Sequence, residues 1–175
     1  MALIVEDGTG KPDAESYISV AEATTYHSDR GNAAWALLAS DTAREQLLRK
    51  STEYMVQAYR LRWLGSRTTD AQRLDWPRAW VALRDSPSPY AASPGYVANN
   101  VVPSEVKAAC AELALSASTG ALAPNIGRTK SEVQVGEIAV KYDETSSEYT
   151  RYRAVDMMLG IYLNGSGAMV NLVRT

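Results

Sequence analysis

The most regular alternation of apolar and polar positions in the chain lies at residues 131–142, SEVQVGEIAVKY. Apolar side chains recur at every second position on both sides of Gly136, which is the period of a half-buried strand. Gly136 itself interrupts the alternation and predicts a bend, bulge or tight turn. We therefore predict a β-hairpin at about 131–143, whose edges need cover from the same domain or from a neighbouring subunit. Its apolar positions are Val133, Val135, Ile138, Val140 and Tyr142.

Apolar residues elsewhere follow the 3.6-residue period of helices. Ser19 and Glu22 have the spacing of a capping box, which predicts a helix that ends near Gly31. Pro103 and Gly120 bound another predicted helix. The predicted fold class is mainly α: a helical bundle with one inserted β-hairpin and extended N- and C-terminal segments. Further helices are predicted at 32–39, 42–63, 69–75 and 151–163.

The length of 175 residues and the ordinary globular composition fit one domain, which we place at 1–164 and follow with a tail at 165–175. No apolar run approaches the length of a membrane span. The apolar N-terminal patch has no basic region before it, so no signal peptide is predicted and we expect synthesis in the cytoplasm. The only cysteine, Cys110, lies among alanines on a helical pattern and is expected to be buried.

A catalytic triad or a histidine-based metal site would have to be built on the single histidine, His27. The sequence contains no zinc-protease, α/β-hydrolase or phosphate-loop motif. We therefore expect a non-enzymatic protein with no catalytic residue, metal or cofactor. In that interpretation His27 is an exposed or partly buried helix residue.

Charge is distributed unevenly along the chain, although the net charge is only −2. Residues 1–30 contain six acids and two bases, whereas residues 44–84 contain nine bases and four acids. Such asymmetry suits contact with nucleic acid, or like subunits that meet head to tail.

Arginines and aromatic residues interleave between positions 59 and 80, a composition typical of surfaces that stack on bases and neutralise the phosphates of a single strand. The alternative, which we favour, places the tryptophans in the core, because the chain has no phenylalanine to supply large core side chains. The candidate nucleic-acid contacts are Arg60, Arg62, Trp63, Arg67, Arg73, Trp76 and Arg78.

The C-terminal tail carries apolar residues after Gly165 and Gly167. A tethered apolar segment commonly docks on a partner groove or a sheet edge, and the other interpretation is a frayed terminus. The residues concerned are Met169, Val170, Leu172, Val173 and Arg174.

Several segments together resemble the head-to-tail connector (adaptor) proteins of tailed bacteriophages. The hairpin segment SEVQVGEIAVKY and the proline-opened helix that begins VPSEVK are similar to segments of that family. The N-terminal LIVEDGTG and the internal LDWPR resemble a subgroup of phage proteins labelled DnaT-like single-stranded-DNA-binding.

The resemblance implies a structural protein that forms a ring, usually twelve-fold, below the portal, joins the DNA-filled head to the tail and lets DNA pass. Its partners would be copies of itself, the portal protein, a tail or tail-completion protein and the genomic DNA, and it would lie in the neck of the virion. The hairpin, with Gly136, would form the subunit interface, and the tail at 165–175 would dock on the portal. The alternative function is a single-stranded-DNA-binding module that uses the cluster at 59–80.

Overall fold

A computed structural model of the protein describes residues 2–83, 95–125, 132–135, 138–141 and 152–164. Five helices are described, and a short 3-10 turn at Gly160–Tyr162 follows the last of them. The helices are α1 (Val20–Asp29), α2 (Ala33–Ala36), α3 (Asp41–Tyr59), α4 (Ser104–Ala117) and α5 (Arg153–Leu159). The strands are β1 (Ser66–Arg67), β2 (Arg78–Ala79), β3 (Glu132–Val135) and β4 (Ile138–Lys141).

The start of α1 is fixed by the predicted capping box. The Ser19 hydroxyl accepts a hydrogen bond from the backbone N–H of Glu22, and the Glu22 carboxylate accepts one from the backbone N–H of Ser19. Two of the free N–H groups at the helix start are thereby satisfied. Gly31 follows the helix with φ of 69°, a conformation that glycine adopts without steric cost. Both predicted boundaries of this helix are confirmed.

The end of α3 differs from the prediction. The helix begins after Ser40, whose hydroxyl accepts from the N–H of Ala43, but it ends at Tyr59 and not at Trp63. The chain beyond it leaves the helix to pair with the segment after α5. The N–H of Leu64 donates to the carbonyl of Tyr162, and Trp63 and Leu163 form an antiparallel bridge. Tertiary pairing therefore replaces the last predicted turn of helix.

The predicted helix at 69–75 is wrong, because side chains satisfy the backbone groups that a helix would have paired. The Thr69 hydroxyl accepts from the N–H of Gln72, while the Gln72 amide oxygen accepts from the N–H of Thr69. The Gln72 amide nitrogen donates to the carbonyls of Leu74 and Pro77. This buried glutamine holds the segment as an irregular loop.

The described core lies where α3 packs on α4 and α4 packs on α5. Aromatic rings extend it beyond α3: Trp63, Trp76 and Tyr162 form successive edge-to-face contacts. Cys110 is buried, as predicted, and lies 3.1 Å from the Ser51 hydroxyl. His27 is fully buried, so the expectation of an exposed or partly buried residue is wrong.

The hairpin is present, with β3 and β4 antiparallel and Val135 opposite Ile138. A mainly α-helical chain with one such inserted hairpin is therefore confirmed, and the regular bundle stays a prediction. Among the described helices, none is both long enough and apolar enough to cross a membrane. Gly136, Tyr142 and the tail at 165–175 lie outside the described residues.

Candidate nucleic-acid interface

The two tryptophans predicted to stack on bases lie in the core. Trp63 and Trp76 are both buried, with ring centroids 5.7 Å apart and planes at 86°. A ring enclosed by protein has no free face to offer a base. The favoured interpretation, that these tryptophans are core residues, is confirmed for this pair.

Arg78 is buried as well, and its guanidinium group holds the backbone of a neighbouring loop. It donates to the carbonyls of Leu64 at 2.7 Å, Gly65 at 2.7 Å and Asp75 at 3.1 Å. Burial lowers the pKa of Arg78, partly offset by the nearby Asp75 carboxylate. Since its donors are occupied by these carbonyls, Arg78 acts as a structural clamp in this fold.

Arg60 and Arg62 remain half-exposed but have acidic partners. Arg60 donates to the carboxylate of the buried Asp75 at 2.8 Å. Arg62 lies 3.9 Å from the carboxylate of Asp156, with its guanidinium 5.3 Å from the ring centre of Tyr59. Each arginine therefore presents a partly neutralised charge to solvent.

Arg67 and Arg73 are exposed as well. Arg67 donates to the carbonyl of Gln72 at 3.1 Å, and Arg60 donates to the carbonyl of Arg73 at 3.3 Å. These contacts bring the three side chains to one loop. We call Arg60, Arg67 and Arg73 the arginine cluster.

An exposed aromatic pair lies next in the chain and was not distinguished by the sequence pattern. Trp80 is 74% exposed, and Tyr96 is 52% exposed. Their ring centroids are 5.9 Å apart and their planes are at 88°. Ala82 and Tyr96 form an antiparallel bridge, which brings the two segments together across residues 84–94. Tyr96 was missed because no local periodicity links it to the basic segment.

The N-terminal motif that carried part of the resemblance is a structural loop. The buried Glu6 carboxylate accepts hydrogen bonds from the backbone N–H groups of Gly8 at 2.9 Å, Gly10 at 2.9 Å and Lys11 at 2.8 Å. Gly8 has φ of 100°, and a Cβ there would overlap the carbonyl of Asn100. Folding therefore accounts for Glu6 and Gly8 in the sequence VEDGTG.

The described residues were compared with the requirements of a metal site and of a reactive cysteine or histidine. They contain no group of three or more His, Cys, Asp or Glu that could hold a metal ion. The Cys110 thiol has a pKa raised by burial, which disfavours the reactive thiolate. His27 is occupied on both nitrogens, by the carbonyl of Ala111 and the amide of Asn32.

The fold is thus a mainly α-helical unit with exposed arginines between Arg60 and Arg73, and with an exposed aromatic pair on two segments that the Ala82–Tyr96 bridge joins. A family model described as "Putative DnaT-like ssDNA binding protein" matches residues 1–175. The chain belongs to this family. Comparison with curated proteins and with solved structures found no significant match in either.

Proposed function

We propose that the protein binds single-stranded DNA. The observation that carries this proposal is the match of the DnaT-like family model to the whole chain. The structure supports it with the arginine cluster and the half-exposed Arg62, which together provide four guanidinium groups at the surface.

Local charge, and not net charge, is the physical basis of this function. A protein of net charge −2 has no overall attraction for a polyanion. Guanidinium groups that converge on one loop can each approach a phosphate of a flexible strand and release its counterions. Arg67 is best placed for this, because no acidic side chain forms a described ion pair with it. Arg73 is exposed as well, but its charge also acts on Glu15 and helps to lower the pKa of that carboxyl.

Salt dependence tests this proposal. If all four arginines contact phosphates, the slope of log K against log salt is about −0.7 per contact, or roughly −3 in all. Affinity for a fluorescein-labelled oligothymidine should then fall by about 50-fold between roughly 50 and 200 mM KCl. Removing two contacts in the double variant Arg67→Ala/Arg73→Ala should reduce that fall to about 7-fold.

A matched pair of cations away from the cluster provides the control. Arg30, at the end of α1, and Lys50, on α3, are both exposed. The double variant Arg30→Ala/Lys50→Ala loses the same charge, so it should keep the wild-type slope. Fluorescence anisotropy that detects no binding at the lowest salt would reject the proposal. Equal slopes for the two double variants would reject the arginine cluster as the contact.

A second candidate function is the head-to-tail connector ring implied by the phage resemblance. The structural observation that favours it is an apolar strip on the outer face of α5 and the turn after it. Met157 is 71% exposed, and Ile161, one helical turn further on, is also exposed. Exposed apolar side chains at helical spacing are typical of surfaces that subunits cover. The hairpin and the tail would supply further contacts, to the next subunit and to the portal.

Light scattering coupled to gel filtration tests the connector. The full chain, alone or mixed with the portal protein of the same phage, should give a species of ring-like mass. The variant Met157→Asp should reduce that species while leaving the helical circular dichroism intact. A chain that stays monomeric even with its portal contradicts this function.

A further inference from the structure

Trp80 combines high exposure with a strained backbone. Its φ is 63°, and among the described residues it is the only non-glycine with positive φ. A large side chain in this left-handed region is an outlier, because its Cβ crowds the following carbonyl. A conformation that is unfavourable for the backbone and also leaves an indole in solvent contributes little to folding. Such outliers concentrate at functional sites.

The surrounding structure enforces this conformation. On one side, Arg78 is clamped to the carbonyls of Leu64 and Gly65. On the other, Val81 is buried, and its carbonyl accepts from the N–H of Val97 at 2.9 Å. Gly65 allows the close approach, since a Cβ there would overlap the carbonyl oxygen of Ala79. The backbone on both sides of Trp80 is therefore held in place by hydrogen bonds and packing.

Tyr96 completes a two-ring site. Its backbone bridge to Ala82 holds this segment beside the one that carries Trp80, and the two rings are nearly perpendicular. Since about three-quarters of Trp80 is exposed, a broad face of the indole contacts solvent. A planar group can stack on that face while the Tyr96 ring limits its position from the side.

We propose that Trp80 and Tyr96 form a stacking site for an unpaired base of single-stranded DNA. This inference rests on the proposed function. Charge favours this occupant, because β1 pairs the exposed Arg67 with Arg78, which lies two residues before Trp80. The strand that carries an exposed cation therefore runs beside the segment that carries the indole, and an arginine can pair with a phosphate of a bound strand. A base in a duplex is stacked on both faces, whereas a single strand exposes its bases to aromatic platforms.

Intrinsic fluorescence provides a specific readout, because the other three tryptophans, Trp35, Trp63 and Trp76, are buried. Oligothymidine binding should quench the emission of Trp80. Trp80→Ala should weaken binding by about 5- to 150-fold, the range for loss of one stacked base. Trp80→Phe should retain most of the affinity but lose the quenching.

Leu37→Ala is the matched control, since Leu37 is an exposed apolar residue at 84%, follows α2 outside the basic segment and should not affect binding. The inference is overturned if the wild type binds oligothymidine without fluorescence quenching and Trp80→Ala binds it with the same affinity. The proposed function would stand in that case. Complete absence of binding overturns both. If Trp80→Ala does not fold, the variants Trp80→Phe and Tyr96→Ala test the two-ring site instead. The site is rejected if Trp80→Phe still shows fluorescence quenching, or if Tyr96→Ala binds with the affinity of the wild type.

Discussion

The strained backbone at Trp80 predicts an unusual order of stability among its variants. At an ordinary exposed position alanine is more stable than glycine, because glycine loses more conformational freedom on folding. At φ of 63° the left-handed conformation costs a residue with a Cβ about 1–2 kcal/mol, and glycine avoids this cost. The entropic disadvantage of glycine offsets about 0.5–1 kcal/mol. Trp80→Gly should therefore be more stable than Trp80→Ala by roughly 0.5–1 kcal/mol.

Urea unfolding followed by circular dichroism measures this difference. Both variants lose the same indole and the same contact with Tyr96, so the comparison isolates the backbone term. With a typical slope of about 2 kcal/mol per M urea, the midpoints should differ by about 0.3–0.5 M. The pair Leu61→Gly and Leu61→Ala, at a position without positive φ, should show the opposite order. An alanine variant at position 80 as stable as the glycine variant would refute the strain argument.

Three further predictions concern the N-terminal loop, the buried histidine and the hairpin. Glu6→Gln should lower the free energy of unfolding by about 1.5–3 kcal/mol, because the side-chain amide of glutamine cannot accept hydrogen bonds from all three backbone N–H groups. Urea titration measures this loss, and the control variant Asp7→Asn, at the exposed neighbouring residue, should change the free energy little. Burial lowers the pKa of His27, so the unfolded state binds the proton more tightly than the folded state. The free energy of unfolding should therefore fall as the pH drops below about 6.5, by at most about 1.4 kcal/mol per pH unit. His27→Gln should flatten this dependence in thermal melts between about pH 7 and 5, and an unchanged slope would exclude His27 as its source. Val135→Asp should impair assembly or folding in gel filtration more than Lys141→Asp, and equal behaviour would contradict the alternation of inward and outward positions.

Local signals predicted the elements whose determinants lie within a few residues. The Ser19 and Glu22 capping box, the glycine after α1 and the alternation in the hairpin each act over short range. The end of α3 could not be predicted in this way, because Trp63 leaves the helix to pair with Leu163, about a hundred residues away. Helical periodicity continues through Trp63 in the sequence, so only the tertiary partner shows where the helix ends.

In the candidate site, too, local sequence predicted some features, and others depend on contacts between distant residues. Composition identified the basic and aromatic segment, but it could not separate the buried Trp76 from the exposed Trp80 four residues later. That difference depends on the close approach of Gly65 and on the clamp formed by Arg78. Tyr96 joins the site only through its bridge to Ala82, a contact that crosses the proline-rich segment.

Preference for single strands over duplex is the most direct test of the proposed function. Labelled oligothymidine of about 20 nucleotides and its duplex with oligoadenosine present the same kind of backbone, but only the single strand offers unstacked bases. At about 50 mM KCl, anisotropy titrations should show the single strand bound about 5- to 150-fold more tightly, since one stacked base contributes roughly 1–3 kcal/mol. Equal affinity for the two forms, or no binding to either, would contradict the account.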